Sequence, residues 1–203
     1  MNFLQLRMAF LAGNLAVAAI AASSPASAAI KPCDQTQISV VKSALTRAKQ
    51  GMTLAIQSID HGQPTDIASY TEWFGAGSSS TSASVRATLA ASSAFSGFQL
   101  YYCPIANDPD ISWDVGDVAQ VRGQGEEITA IYLSPLFFEI APSDETKQYG
   151  VIVHELTHFR LTGNTVDVAY GKQKSRQLAK DDPASARKNA SNYHFFVQSF
   201  FGD

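Results

Sequence analysis

The chain has 203 residues, of which 45% are hydrophobic and 16% charged, a length that fits one or two domains. That apolar fraction can build a core, which excludes a disordered charged tail as the main identity. A net charge of −3 leaves no basic excess to neutralise phosphates, so nucleic acid is not an expected partner.

Residues Met1–Ala28 read as a secretory signal: Arg7 supplies the positive start, Met8 to Ala22 the apolar stretch, and Ala26-Ser27-Ala28 a small-x-small cleavage site. Residues 29–203 then form one domain. No run of 18 or more strongly apolar residues follows, so no membrane span is expected in the mature chain. Export to the periplasm or the outside changes the reading of Cys33 and Cys103, the only two cysteines. In an oxidising compartment an even pair is expected to form a disulfide.

A first helix is predicted from Gln35 to Ile59, where Ile38, Val41, Leu45, Ala48, Met52, Ala55, Ile56 and Ile59 recur at three- and four-residue steps. His61-Gly62-Gln63-Pro64 ends it. Tyr70 to Gly75 is a compact aromatic patch, Gly75 to Ser84 a Ser/Gly-rich loop, and Val85 to Phe95 a second helix. Three β-rich runs follow, at Phe98–Tyr102, Val118–Val121 and Ile128–Leu133. The period then returns to helical. One helix is predicted from Asp144 to Thr162, with Ser143 as N-cap and Gly163 as the residue beyond its end. Two more are predicted at Lys172–Lys180 and Pro183–Phe201. The grouping of strands and helices gives an α+β class rather than a βαβ repeat.

The helix before Gly163 contains His154-Glu155-Leu156-Thr157-His158. Histidines at i and i+4 project from one helix face, one turn apart. Together they can bind a Zn²⁺ ion, and the adjacent Glu155 can act as general base on a metal-bound water. Val151, Ile152 and Val153 just upstream indicate a buried helix, where two unpartnered imidazoles would be costly. A catalytic zinc takes a third protein ligand and keeps an open position. The extended H-E-x-x-H-x-x-G-x-x-H pattern is excluded, because Leu161 and Asn164 stand where it needs Gly and His. A Glu from a later helix is excluded, because no Glu follows Glu155. Asp167, Asp181, Asp182, His194 and Asp203 remain. Asp167 lies just past the Gly163 turn, while Asp181 and Asp182 precede Pro183 and read better as N-caps.

Gly163-Asn164-Thr165-Val166-Asp167-Val168-Ala169-Tyr170-Gly171 resembles the G-T-x-D-x-x-Y-G signature of the aspzincins, the deuterolysin-like metalloendopeptidases. Asn164 stands for the signature's first Gly, a mild change because Asn tolerates a left-handed turn. The family's Y-T-x-W-F-G block is similar to Tyr70–Gly75. The strand before its active-site helix is similar to Ile131–Pro135, and an N-A-D-x-Y stretch is similar to Asn189–Tyr193. The resemblance implies a zincin-like metalloprotease fold, mostly helical with a small sheet before the active-site helix. It implies one zinc per chain on His154, His158 and Asp167, with Glu155 as general base and Tyr170 donating its hydroxyl to the oxyanion.

The departures also carry information. The lysine-specific branch meets a substrate ammonium with acidic residues where this chain has Ser191 and His194, so those two are candidate pocket residues and lysine preference is not carried over. The expected molecule is a monomeric, secreted or periplasmic zinc metalloendopeptidase acting on protein or peptide substrates. The alternative is a non-enzymatic zinc- or partner-binding module on the same scaffold.

Overall fold

The computed structural model describes residues 33–62, 67–95, 100–103, 111–122 and 130–201. The proposed signal, residues 1–28, lies outside them. The element order is α1 (Gln35–His61), α2 (Ala68–Phe74), α3 (Ser79–Ala94), β1 (Leu100–Tyr102), β2 (Ala119–Arg122), β3 (Ala130–Leu133), α4 (Pro135–Glu139), α5 (Gln148–His158), α6 (Lys172–Asp181), α7 (Pro183–Ala186) and α8 (Ala190–Gln198). The architecture is mostly helical, with the small sheet preceding α5 in the chain. No described helix is long and apolar enough to cross a membrane.

Helix α1 begins at a capping box in which the Asp34 carboxylate accepts the Gln37 N–H and the Gln37 side chain accepts the Asp34 N–H. Val41, Ala48, Met52 and Ala55 form its buried stripe. Cys33, just before it, is bonded to Cys103 at the end of β1, with the two Cα atoms 4.6 Å apart.

The sheet has the order β1-β3-β2, with β1 parallel and β2 antiparallel to β3. The central strand β3 is buried at all four positions, as a strand covered on both faces must be. The predicted strand starts at Phe98 and Ile128 fall outside the described residues.

Three sequence expectations are corrected. The Ser-rich stretch expected to remain a loop to Ser84 enters α3 at Ser79. Ser78 and Thr81 form a second capping box, and Ser82, Val85, Thr88, Leu89 and Ser92 make a buried face of mostly small side chains. The Tyr70–Gly75 patch is the short helix α2, and the segment after β3 forms α4, with Pro135 in its first turn.

The helix expected from Asp144 to Thr162 is α5 alone. Ser143 does not cap it, and residue 147 holds that position. At its far end Thr162, Gly163 and Asn164 all donate their backbone N–H to the Phe159 carbonyl, which curls the chain out of the helix. Asn164, at φ 49°, takes the left-handed conformation there, rather than Gly163. Gly163 is required for a different reason: a Cβ would stand 2.6 Å from Thr88 Cγ2 and 2.8 Å from the Thr157 carbonyl.

The helix expected from Pro183 to Phe201 is two helices, α7 and α8. Asp182 caps the first by accepting the Ser185 N–H, as its position before Pro183 suggested. The break at Arg187–Asn189 frees backbone groups that pair with Val166: Val166 N–H donates to the Lys188 carbonyl (2.8 Å), and Ala190 N–H donates to the Val166 carbonyl (3.1 Å). Tertiary pairing here overrides local helical propensity.

Helices α5 and α8 form the centre of the molecule. Tyr149 to Thr157 of α5 and every residue of α8 are buried. Their close approach depends on Gly150, where a Cβ would collide with the His194 ring. Around α8 an aromatic cluster joins two sequence blocks: Trp73 stacks on Phe195 (5.2 Å), and Phe74 meets Tyr193 and Phe196 edge-on at 5.0 and 5.2 Å. Aromatic contacts of this kind add about 0.5–1.5 kcal/mol each beyond area burial, so α2 is anchored directly to the helix behind the cleft.

Candidate metal centre

The last two turns of α5 place His154 and His158 on one face, with ring centroids 4.8 Å apart. The reversal at residues 159–164 returns the chain beside them. It is fixed from Thr157, whose carbonyl accepts the Thr165 N–H (3.1 Å) and whose hydroxyl lies 2.9 Å from the Thr165 hydroxyl. Asp167 is thereby carried to both imidazoles: Oδ1 is 3.0 Å from His154 Nε2, and Oδ2 is 3.4 Å from His158 Nε2. Ligand atoms of these three residues lie within 4.8 Å of one another, the one grouping of this kind among the described residues.

The donor chemistry fits a cation. His158 Nδ1 lies 2.9 Å from the Thr165 carbonyl oxygen, an acceptor, so Nδ1 carries the proton. A neutral ring then turns the lone pair of Nε2 toward the Asp167 carboxylate. Two lone pairs facing each other repel, and either a second proton or a metal ion relieves them. Burial works against a charged His158, but the bond to Asp167 and the nearby Glu155 outweigh it and raise the imidazole above its ordinary value. Burial would likewise raise Asp167, yet its bonds to His154 and His158 hold the carboxyl far below the usual range. Two imidazoles and a carboxylate, one imidazole oriented by a backbone carbonyl, form a donor set suited to zinc.

Glu155 is 4% exposed. Burial pushes its carboxyl up, and the flanking histidines only partly offset this. Tyr170 is 61% exposed, with its ring 6.1 Å from that of His154. Partial desolvation and the neighbouring Asp167 carboxylate keep its phenol protonated above the ordinary range, so the hydroxyl remains a donor.

These groups line a cleft of about 920 Å³, whose lining also includes Ala119, Gln120 and Val121 of β2 and the Asp114–Asp117 turn. Ser191 and His194 also line it. The Ser191 hydroxyl lies 3.4 Å from His154 Nδ1. His194, 4% exposed, is 3.1 Å from Gln198 Oε1, and burial together with nearby His154 pushes it down to about 3. His194 is outside the three-residue cluster. Asp181 pairs with the Gln177 side chain and Asp182 caps α7, so neither reaches the cluster; Asp203 lies outside the described residues. The sequence reading did not include the wall formed by β2, nor Asn189, which bonds to the ligand loop from 20 and 21 residues away.

Comparison with known proteins places this geometry among peptidases. The aspzincin family model, described as lysine-specific metallo-endopeptidase, matches residues 60–198. A peptidyl-Lys metalloendopeptidase from Armillaria mellea is 30% identical over 131 residues, 64% of this chain and 35% of that protein. An extracellular protease from Aeromonas hydrophila is 36% identical over 69 residues, 34% of this chain and 20% of that protein. The matched region thus spans about a third or less of these relatives' length. The solved structure of a zinc peptidase from Grifola frondosa superposes with a TM-score of 0.72 at 25% identity, covering 83% of this chain and 98% of that one. The shared fold is the expected α+β, zincin-like one.

Proposed function

Since the chain belongs to the aspzincin family, we propose that it is a zinc-dependent metalloendopeptidase. The observation that carries this reading is the convergence of His154, His158 and Asp167 beside a buried Glu155 in an open cleft. These three side chains hold one zinc per chain. Bound there, the metal supplies Lewis acidity to water and to the scissile carbonyl.

The protein's own groups carry the remaining steps. Glu155 takes a proton from the attacking water and returns it to the leaving amine; a raised carboxyl suits both tasks. The protonated Tyr170 hydroxyl donates to the oxyanion, where charge develops only as the reaction proceeds. Strand β2 is hydrogen-bonded to β3 on one side only among the described residues. Residues 119–121 of β2 line the cleft, and a strand edge left unpaired can offer backbone groups to an extended peptide. Neutral Ser191 and His194 offer no charge to a lysine ammonium, so lysine preference is not carried over to this chain.

In this reading residues 1–28 serve as a secretory signal, and the domain that follows acts as a monomer in the periplasm or outside the cell. Its partners are protein or peptide substrates, with no nucleic acid or membrane. The test is cleavage of a peptide library by the zinc-loaded protein, read by mass spectrometry beside Glu155→Ala. Cleavage that depends on Glu155 supports the peptidase. Zinc binding without cleavage by either protein favours the non-enzymatic module.

A further inference from the structure

The loop that brings Asp167 and Tyr170 to the cleft has little apolar anchorage. Val166, Val168 and Tyr170 are 53%, 50% and 61% exposed, so burial of these side chains does not hold it. Beyond Asp167 its backbone is held instead by one buried amide. Asn189, 0% exposed, accepts the Val168 N–H (2.8 Å) and the Ala169 N–H (3.1 Å) on Oδ1. Its Nδ2 donates to the Ala169 carbonyl (3.0 Å) and to Asn192 Oδ1 (2.6 Å). Two donors on one side and two acceptors on the other allow only this orientation of the amide. Asn192 passes the connection inward, donating to the Trp73 carbonyl (2.5 Å) and the Ser175 carbonyl (3.0 Å). The loop is thus tied through two side-chain amides to α2 and α6.

We propose that Asn189 is a positioning residue for the metal centre, clamping residues 168–169 so that Asp167 and Tyr170 are preset on either side of the anchored backbone. The role follows from placement. The ladder at Val166 fixes the loop before Asp167, and the Asn189 amide fixes it directly after. A carboxylate between two such anchors loses little conformational freedom on binding a metal, and outer groups that orient ligands sustain affinity in this way. Asp cannot replace the amide fully, because its second oxygen would face the Ala169 carbonyl and Asn192 Oδ1 with no hydrogen to donate.

The inference rests on Asp167 being a zinc ligand, and the test separates the two claims. Amide hydrogen exchange is measured on the metal-free parent and on Asn189→Ala, and zinc affinity is measured in both by chelator competition. In the parent, the Val168 and Ala169 amides should be protected despite their exposed side chains, and Asn189→Ala should abolish that protection. The same variant should bind zinc about 10–100-fold more weakly, while amides in α5 keep their protection. The proposal is overturned if those two amides exchange freely in the parent, or if the variant binds zinc within about twofold of it. Should the variant fail to fold, exchange in the parent decides. Should the parent bind no zinc at all, the metal reading fails, and the exchange comparison still decides the clamp.

Discussion

Acid should destabilise this protein through His194, and the effect can be calculated from the packing of one ring. His194 lies between α5 and α8 at 4% exposure, with its Nε2 facing Gln198 Oε1. The Gln198 amide nitrogen donates to the Glu145 carbonyl (2.7 Å), so its oxygen is the acceptor, and His194 is the neutral tautomer protonated at Nε2. Burial and neighbouring His154 push the ring down to about 3, whereas an unfolded histidine titrates near 6.5. Above about pH 6.5 neither state is charged and the group has no pH effect. Below it the unfolded chain takes up a proton that the folded chain refuses, so stability falls as pH drops from about 6.5 toward 3. The slope is about 1.4 kcal/mol per pH unit, or roughly 2–3 kcal/mol by pH 4.5.

The comparison is with His194→Gln, which keeps a nitrogen donor for Gln198 and cannot titrate. Reversible denaturant unfolding of both metal-free proteins at several pH values between 7 and 4.5 gives the difference in stability. His158, Asp167 and Glu155 titrate in both proteins and cancel. The parent's advantage should shrink by about 2–3 kcal/mol over that range, or roughly 5–10 °C in melting temperature for a chain of this size. A difference that stays constant with pH would refute the reasoning, because it would mean that the folded protein protonates His194 as readily as the unfolded chain does.

Asp167→Ala should lose more zinc affinity than the roughly 10–100-fold typical of an outer partner, because it removes one of three ligands; zinc retained at one equivalent after dialysis would eliminate Asp167 as a ligand. Tyr170→Phe should lower turnover about 100-fold with zinc affinity unchanged, the loss typical of one oxyanion donor, and a turnover equal to the parent's would remove that role. Replacing Cys33 and Cys103 with Ser opens a loop with a sequence separation of 70 and should destabilise the fold by about 4 kcal/mol. Thermal melting measures it, and because neither cysteine lines the cleft, zinc affinity should stay within about twofold; a larger change would tie the crosslink to the site.

The sequence revealed elements whose signals were local. The spaced apolar residues of α1 and Asp182 ahead of Pro183 act within a few residues, and both are found where they were expected. It misled where the deciding contact was distant. Nothing near Ser79 advertises that Ser82, Thr88 and Ser92 form a buried helix face against other helices, because serine is a turn former until its hydroxyl finds a backbone partner. The break between α7 and α8 is decided by a bridge to Val166, more than twenty residues upstream. Such pairing leaves no trace in local periodicity.

The site divides along the same line. His154, Glu155 and His158 were legible because one helix turn fixes their relation regardless of what surrounds them. Asp167 was legible only as one of several acidic or imidazole candidates, until the similarity of its loop to a known signature singled it out. The structure supplies the physical reason: the turn at Asn164 returns the chain, Thr157 and Thr165 align it, and Asn189 holds it afterward. Three of those four residues lie within eight positions of Thr157, while Asn189 acts from the far side of α6 and α7. The helix supplies two ligands almost free of tertiary context, but the third depends on how precisely an exposed loop is held. The sensitivity of the metal centre to substitution should therefore concentrate in the buried residues beneath that loop, ahead of its exposed valines.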